Sequence, residues 1–157
     1  MAEPLELIRV TAPTDEVVTL LQALDRALSG PYLPSQRHAL SVDQLFAPNI
    51  RFFVARVGGA AVGCGGVAFD DGYAEIKRMF TRTQQRRMGV AKAVLEQLER
   101  AARTQGYSVL RLETGCHQAA AIAFYERAGF ERRDAFGAYS TMSPQAIETS
   151  VFFEKPI

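Results

Sequence analysis

Hydrophobic and polar residues alternate along this chain with two periods, which predict short strands interspersed with longer helices. Alternating or β-rich stretches predict strands at 5–11, 50–57, 60–69, 73–81, 109–113 and 150–155. Apolar residues at helical spacing predict helices at about 15–28, 88–105 and 118–128, and a short helix near 41–45. This order of elements predicts one mixed α/β domain over residues 1–157.

Short turns join the middle strands into a predicted meander. A Gly-Gly pair at 58–59 and an Asp-Asp-Gly sequence at 70–72 separate three β-rich stretches. Turns this short join antiparallel neighbours, so we expect three consecutive antiparallel strands. The glycines within 63–66 do not complete a nucleotide-binding G-x-G-x-x-G pattern, because residue 68 is Ala. We interpret these glycines as relieving crowding in the sheet.

The overall composition excludes several classes of protein. With 157 residues, 48% hydrophobic and 22% charged, the chain is neither disordered nor fibrous. A formal net charge of +1 provides no general basic field, so a nucleic-acid partner is not expected. Cys64 and Cys116 form neither a disulfide framework nor a metal-ligand motif, and no metal is expected. The absence of a signal-peptide pattern and of a long apolar stretch predicts a cytoplasmic protein without membrane contact.

Positive charge is concentrated in one segment of the chain. Six cations and no acid lie between Glu75 and Glu96, which leaves 12 cations against all 17 acids elsewhere. This segment leads into the predicted helix at 88–105, whose unpaired N-terminal N–H groups favour an anion. Gly89 lies at that helix start and lets a ligand approach the backbone closely. The segment therefore predicts a phosphate or pyrophosphate site.

Two sequence motifs resemble those of a known enzyme family. Residues 86–91, RRMGVA, match a [Q/R]-x-x-G-x-[G/A] signature, and residues 119–130, AAAIAFYERAGF, match an A-x-x-[FL]-Y-E-[KR]-x-G-F segment. Together they resemble the GNAT superfamily of acyl-CoA-dependent N-acetyltransferases. The resemblance implies a GNAT fold, which is a central mixed, largely antiparallel twisted sheet flanked by helices. It also implies acetyl-CoA as the co-substrate and direct transfer of its acetyl group to an amine.

The resemblance implies which residues bind the coenzyme. The signature loop would wrap the pyrophosphate with backbone amides, and the strand at 79–81 would pair with the pantetheine amides. Gln118 lies seven positions before Tyr125, where many family members have Asn. The coenzyme-binding residues expected in this way are Met79, Phe80, Thr81, Arg86, Arg87, Met88, Gly89, Val90, Ala91, Gln118 and Tyr125.

Two residues are the candidates for catalytic proton transfer. By resemblance, Tyr125 would protonate the departing thiolate, and Glu75 would take a proton from the acceptor amine. Each also has a purely structural interpretation. Tyr125 would then be an aromatic residue packed on the apolar face of its helix. Glu75 would be a solvated strand residue paired with Lys77 or Arg78.

The resemblance places the acceptor amine between the segments 30–38 and 136–139. The first segment holds Tyr32 and Arg37, which together with Glu75 are the residues expected to bind the acceptor. Because a guanidinium clamps a carboxylate well, Arg37 indicates an amino-acid-like acceptor. The alternative is that Arg37 is an ordinary residue of a surface loop.

The expected function is transfer of an acetyl group from acetyl-CoA to a primary amine of a small molecule. Two alternatives stay open: acetylation of a peptide or protein amine, and an acyl-CoA-binding module without turnover. A covalent route through Cys116 is disfavoured, because adjacent side chains such as that of His117 point in different directions. A homodimer is also open by analogy, formed along an exposed edge of the strand at 150–155.

Overall fold

Seven strands form one hydrogen-bonded sheet, and helices cover both of its faces. The computed structural model describes residues 3–157. The strands are β1 (Leu5–Val10), β2 (Ile50–Val57), β3 (Ala60–Phe69), β4 (Ala74–Thr81), β5 (Val109–Gly115), β6 (Glu131–Arg133) and β7 (Ser150–Pro156). The helices are α1 (Asp15–Ser29), α2 (Val90–Thr104), α3 (Ala119–Arg127) and α4 (Pro144–Ile147). Short 3-10 turns lie at Pro34–Gln36, Gln44–Phe46, Thr83–Gln85 and Gly137–Thr141.

The strands follow the order β1-β2-β3-β4-β5-β7-β6 across the sheet. Every neighbouring pair is antiparallel except β4 and β5, which run parallel. Parallel neighbours need a crossover connection, and α2 provides it here. These findings confirm a mixed, largely antiparallel sheet flanked by helices, and they confirm the predicted β2-β3-β4 meander.

The parallel strands β4 and β5 separate soon after they begin. Their ladder contains two residue pairs, the second of which joins Glu75 to Arg111. A bulge interrupts the pairing of β4 with β3 beyond this point. Arg78 lies at the bulge with a φ of 57°, a left-handed conformation that is strained for a residue with a side chain. The divergence leaves a gap in the middle of the sheet.

Two hydrophobic layers cover the two faces of the sheet. On one face, Leu98 of α2 and Tyr125 of α3 cluster with strand residues such as Leu110. On the other face, Leu20 of α1 clusters with Phe52 of β2. Because strand side chains alternate between faces, the polar residues of β4 and β5 lie on the α1 face. Those residues are Glu75, Lys77 and Glu113.

The glycines of β3 lie where α2 crosses the sheet. A Cβ built on Gly63 would lie 2.8 Å from both the Phe80 carbonyl oxygen and Val90 Cγ1. A Cβ on Gly65 would lie 2.7 Å from Val94 Cγ1. Side chains at these two positions would hold the helix away from the strand. The interpretation of these glycines as relief of crowding is therefore confirmed.

Two features differ from the sequence prediction. The short helix near 41–45 is a single 3-10 turn, Gln44–Phe46, in which Leu45 is the buried residue, so a longer helix would gain little packing. Strand β6 was not predicted, and it pairs with residues 152–154 of β7. Because β5 pairs with the other side of β7, the prediction of an exposed edge at 150–155 is wrong. The homodimer itself stays a prediction.

No helix within residues 3–157 combines the length and the apolar character needed to cross a membrane.

Candidate active site

Two openings on opposite faces of the sheet meet at the gap between β4 and β5. A cleft of about 1330 Å³ lies on the face covered by α2 and α3, and we call it the α2-side cleft. A cavity of about 160 Å³ lies beneath α1, and we call it the α1-side cavity. Both openings share one set of lining residues, which are Leu24, Met79, Gln118, Ala121 and Tyr125. A molecule bound on each side would therefore meet the other one beside Tyr125.

The N-terminus of α2 forms one end of the α2-side cleft. The first backbone hydrogen bond of this helix runs from Ala93 N–H to the Gly89 carbonyl at 3.0 Å. The N–H groups of the first turn therefore have no partner within the helix and carry the positive end of its dipole. Gly89 caps the helix with a φ of 80°, and a Cβ built there would meet open space. The structure therefore explains Gly89 by its left-handed backbone, and close approach of a ligand stays a prediction.

The six cations between Glu75 and Glu96 divide between the two faces. Arg86, Arg87 and Lys92 line the α2-side cleft near the start of α2. Arg82 instead donates from Nε to the Ala61 carbonyl at 3.0 Å. The remaining two, Lys77 and Arg78, line the α1-side cavity. Three of the six cations on which the anion-site prediction was based therefore lie at the start of α2.

Most residues expected to hold the coenzyme line the α2-side cleft. They are Met79, Phe80, Thr81, Arg86, Arg87, Gly89, Val90, Ala91, Gln118 and Tyr125. Met88 is the exception, because its side chain is 63% exposed and it does not belong to the cleft wall. Beyond Glu75, β4 has no strand partner on its β5 side among residues 3–157, so its backbone groups there are available to a ligand.

Tyr125 is buried at the junction of the two openings. Its ring packs edge-on against Phe124 and Phe130, with centroid separations of 5.3 and 5.5 Å. Within residues 3–157, no group pairs with its hydroxyl, whereas the hydroxyls of Tyr139 and Tyr107 donate hydrogen bonds. Burial raises the pKa of Tyr125 above its ordinary value, so the phenol keeps its proton at neutral pH.

Glu75 is buried, with 5% exposure, and is held by two donors on the wall of the α1-side cavity. Its Oε2 accepts hydrogen bonds from Tyr139 Oη at 2.7 Å and from Lys77 Nζ at 2.8 Å. Lys77 Nζ also donates to Tyr139 Oη at 2.8 Å, so the three groups form a closed triangle. Burial and the neighbouring Glu75 carboxylate both raise the pKa of Tyr139. Glu75 is thus paired with Lys77 but is not solvated.

Glu113 is a second carboxylate in the α1-side cavity, which the sequence interpretation did not single out. Its Oε2 accepts a hydrogen bond from Ser150 Oγ at 2.6 Å. Burial raises the pKa of Glu113, while the Ser150 hydrogen bond and the neighbouring His38 and Lys77 side chains oppose that rise. Finding Glu113 from sequence would have required the parallel register that places it two residues beyond the pairing partner of Glu75.

Three further side chains line the α1-side cavity from outside the sheet. His38 Nε2 donates to the Ala146 carbonyl at 2.7 Å, because that oxygen can only accept, so its Nδ1 is free to accept. Tyr32 accepts a hydrogen bond from His117 N–H at 2.9 Å, which ties the segment after α1 to the start of α3. Arg37 buries an Nε–H that has no hydrogen-bond partner among the described residues. The expected acceptor-binding residues Tyr32, Arg37 and Glu75 thus lie on one cavity wall.

Comparisons with known proteins were made for the whole chain. Residues 17–130 match the family model described as the Acetyltransferase (GNAT) family. An IAA acetyltransferase of Azospirillum brasilense is 43% identical over 145 residues, which cover 91% of this chain and 92% of that protein. The solved structure of a proposed acyl-CoA N-acyltransferase from Klebsiella pneumoniae is 33% identical, with a TM-score of 0.75 and 97% of each chain covered. The PaiA N-acetyltransferase of Thermoplasma acidophilum, solved in complex with coenzyme A, shares the fold at 16% identity and a TM-score of 0.75, over 98% of this chain and 99% of that one.

Proposed function

The chain belongs to the GNAT family of acetyltransferases and is an acyl-CoA-dependent acetyltransferase, and from this premise we propose that it acetylates the primary amine of a small carboxylate-bearing molecule. The observation that carries the proposal is the meeting of two openings from opposite faces at Tyr125. The α2-side cleft has the features of an anion site. The α1-side cavity holds the cationic Arg37 as well as the carboxylates Glu75 and Glu113. We further propose that residues 1–157 act as one catalytic domain, because a single sheet carries both openings.

The α2-side cleft suits the coenzyme part of acetyl-CoA. Its diphosphate would lie at the start of α2, where free N–H groups, the helix dipole and Arg86, Arg87 and Lys92 favour an anion. The pantetheine arm would follow the unpaired edge of β4 at 79–81, which offers backbone donors and acceptors as a neighbouring strand would. Gln118 faces the same cleft with an amide. The thioester would then reach the gap beside Tyr125.

Tyr125 is the proposed acid for the leaving group. When the amine attacks the thioester carbonyl carbon, a C–N bond forms, the C–S bond breaks and the sulfur leaves with both electrons. A phenol that keeps its proton at neutral pH supplies that proton to the sulfur. The nitrogen, which loses a proton as the amide forms, returns one to the phenolate. The products are the acetylated amine and coenzyme A with a free thiol.

The charges of the α1-side cavity favour an acceptor that carries both an amine and a carboxylate. The charge of Lys77 is neutralised by Glu75, and that of Arg78 by Asp25 at 2.8 Å. Arg37 has no acidic partner within salt-bridge distance among the described residues, and its buried Nε–H has no acceptor. A substrate carboxylate would satisfy it in a bidentate geometry. The Azospirillum relative is named for IAA, and that name does not define the acceptor of this chain.

Release of free thiol from acetyl-CoA tests the proposed function. The purified chain is incubated with amino acids, polyamines, aminoglycosides or short peptides, and basal hydrolysis is subtracted. We expect release above background with carboxylate-bearing amines, and weaker release with the corresponding amines that lack the carboxylate. Release with peptides alone would favour the peptide or protein alternative. Binding of acetyl-CoA without release in any pool, including a peptide pool, would favour a binding module without turnover.

The role of Arg37 is tested by the same assay. Arg37→Gln should raise the KM for a carboxylate-bearing acceptor by about tenfold or more and leave the KM for acetyl-CoA unchanged, because one charge-assisted bidentate contact is lost. Arg9→Gln is a matched control, since Arg9 lies on β1, away from both openings. Equal KM increases for acceptors with and without a carboxylate would contradict the assignment of Arg37 to the substrate carboxylate.

A further inference from the structure

The two carboxylates on the α1-side cavity have different partners. Glu75 accepts from the Lys77 ammonium at 2.8 Å and from the Tyr139 hydroxyl at 2.7 Å. Glu113 accepts from the neutral Ser150 hydroxyl, and among the described residues it has no cation within salt-bridge distance. The Lys77 ammonium neutralises the charge of Glu75, so an incoming ammonium group is attracted less strongly to Glu75 than to the unpaired Glu113 carboxylate. Glu75 is therefore neutralised by Lys77, whereas Glu113 is available as a base.

We propose that Glu113, rather than Glu75, binds the ammonium group of the acceptor and takes its proton before the amine attacks acetyl-CoA. This inference rests on the proposed function and deepens it by naming the residue on the acceptor side. Glu75 then acts as a positioning residue, which holds Lys77 and Tyr139 against the cavity wall. Glu113 and Tyr125 line the same cavity, so the proposed base and the proposed acid both have access to an amine bound there.

The proton balance of this step is simple. The acceptor arrives as an ammonium ion beside the Glu113 carboxylate, and one N–H proton moves to that carboxylate. The neutral nitrogen then attacks the thioester carbonyl carbon, and its next proton restores Tyr125 after the phenol has protonated the sulfur. Glu113 gives its proton to solvent after the acetylated product leaves. One proton is released for each acetyl group transferred.

Several charged or titratable groups face Glu113 from the elements around it. They are Tyr32 and His38 from the segment after α1, Glu75 and Lys77 from β4, and Tyr139 from the 137–141 turn. Burial is the largest influence and raises the pKa of Glu113, which brings a carboxyl closer to the range in which it exchanges protons with an amine. The Ser150 hydrogen bond acts in the opposite direction, because it stabilises the ionised form. The Ser150 hydrogen bond therefore lowers the pKa of Glu113 and favours its carboxylate form.

The pH dependence of kcat/KM for the best acceptor of the panel, at saturating acetyl-CoA, tests the proposal. Because the working form of Glu113 is the carboxylate, activity of the wild-type chain falls on the acid side of the Glu113 pKa. Glu113→Gln should lower kcat/KM by about 100-fold and abolish that acid limb. Ser150→Ala should keep the limb and move it upward by about one pH unit, because one hydrogen bond to the carboxylate is lost.

Two further variants separate catalysis from structure. Ser108→Ala changes an exposed serine outside both openings and should leave the limb in place. Glu75→Gln should lower activity but keep the acid limb, since in this proposal Glu75 positions Lys77 and Tyr139 and takes no proton from the amine. An acid limb that survives in Glu113→Gln and disappears in Glu75→Gln overturns the proposal while the acetyltransferase function stands.

If no acceptor is found, the proposal can still be tested by measuring the pKa of Glu113 directly, without turnover. The chain is labelled with glutamate carrying ¹³C at the side-chain carboxyl, bound to coenzyme A and titrated by NMR. The Glu113 resonance is the one missing from Glu113→Gln. We expect a midpoint above the value of about 4.3 for an exposed Glu, and a higher one still in Ser150→Ala. A midpoint at or below that value overturns the proposal. The absence of thiol release with every acceptor is a separate result, which counts against the proposed function.

Discussion

Two buried tyrosines illustrate how surroundings separate the roles of identical side chains. The Tyr139 hydroxyl donates a hydrogen bond to Glu75 Oε2 at 2.7 Å, so it is already engaged. Tyr125 is buried to a similar degree, but no protein group within residues 3–157 pairs with its hydroxyl at the junction of the two openings. This hydroxyl is on a residue that lines both openings, where a bound thioester would give it a partner. The free hydroxyl is therefore what distinguishes Tyr125 as the candidate acid.

Tyr125→Phe should lower kcat by about 100-fold, because general acid catalysis contributes roughly that factor or more. The ring keeps its contacts with Phe124 and Phe130, so the free energy of unfolding should change by less than about 0.5 kcal/mol. Steady-state thiol release and denaturant unfolding measure the two quantities.

Tyr107→Phe is the matched control, since Tyr107 donates to the Asp70 carbonyl and lines neither opening. It should leave kcat unchanged. A loss below threefold in Tyr125→Phe would favour a packing role for that ring.

The secondary-structure elements differ in how much of them the sequence alone could predict. α1 was found because Thr14 and the apolar spacing mark its start, and Thr14 Oγ1 does accept from Val17 N–H at 3.3 Å. β6, with the polar sequence Glu-Arg-Arg, has no pattern of its own and forms against the backbone of β7. Glu113 was missed for a related reason, because its place beside Lys77 depends on the register of two strands that are distant in sequence. Local patterns thus predicted the lining of the α2-side cleft better than that of the α1-side cavity.

In the loop before α2, the effect of a negative charge on coenzyme binding can be tested with two variants that strain the backbone equally. Asn and Asp both tolerate the left-handed conformation that Gly89 adopts at a φ of 80°. Gly89→Asp places a negative charge at the proposed diphosphate site, and Gly89→Asn places a side chain of similar size there without charge. We expect acetyl-CoA to bind about tenfold more weakly to Gly89→Asp than to Gly89→Asn, measured by calorimetry. Equal affinities of the two variants would argue against an anion at this helix start.

The contact between β3 and α2 affects the stability of the wall of the α2-side cleft. Gly63→Ala would bring a Cβ to 2.8 Å from the Phe80 carbonyl, a backbone atom that cannot rotate away. We expect a loss of about 1–3 kcal/mol in the free energy of unfolding, or a fall in Tm of several degrees. Gly30→Ala is the matched control, because that position has a φ of −73° and open space around it. It should change stability by less than about 1 kcal/mol, and a similar loss in both variants would mean that the helix–strand contact is not tight.

At the scale of the whole molecule, the fold separates two binding surfaces and joins them at one point. The divergence of β4 from β5 opens the sheet; helices α2 and α3 line the larger opening, and α1 contributes residues to both. Each opening can thus be filled while the other is occupied. The arrangement favours direct transfer between two bound substrates over storage of the acetyl group on the protein.

This arrangement leads to a kinetic prediction that concerns both openings at once. If both substrates bind before reaction, initial rates measured against acetyl-CoA at several acceptor concentrations give intersecting double-reciprocal lines. Storage of the acetyl group on the protein would give parallel lines instead.

Cys116 is the exposed thiol that could hold the group, but it lines neither opening, and the pKa of the buried Cys64 is raised to about 12. Cys116→Ser should therefore retain full activity, and mass spectrometry after incubation with acetyl-CoA alone should detect no acetylated protein. Parallel lines together with acetylated Cys116 would contradict direct transfer, because they require the acetyl group to leave the coenzyme before the acceptor arrives.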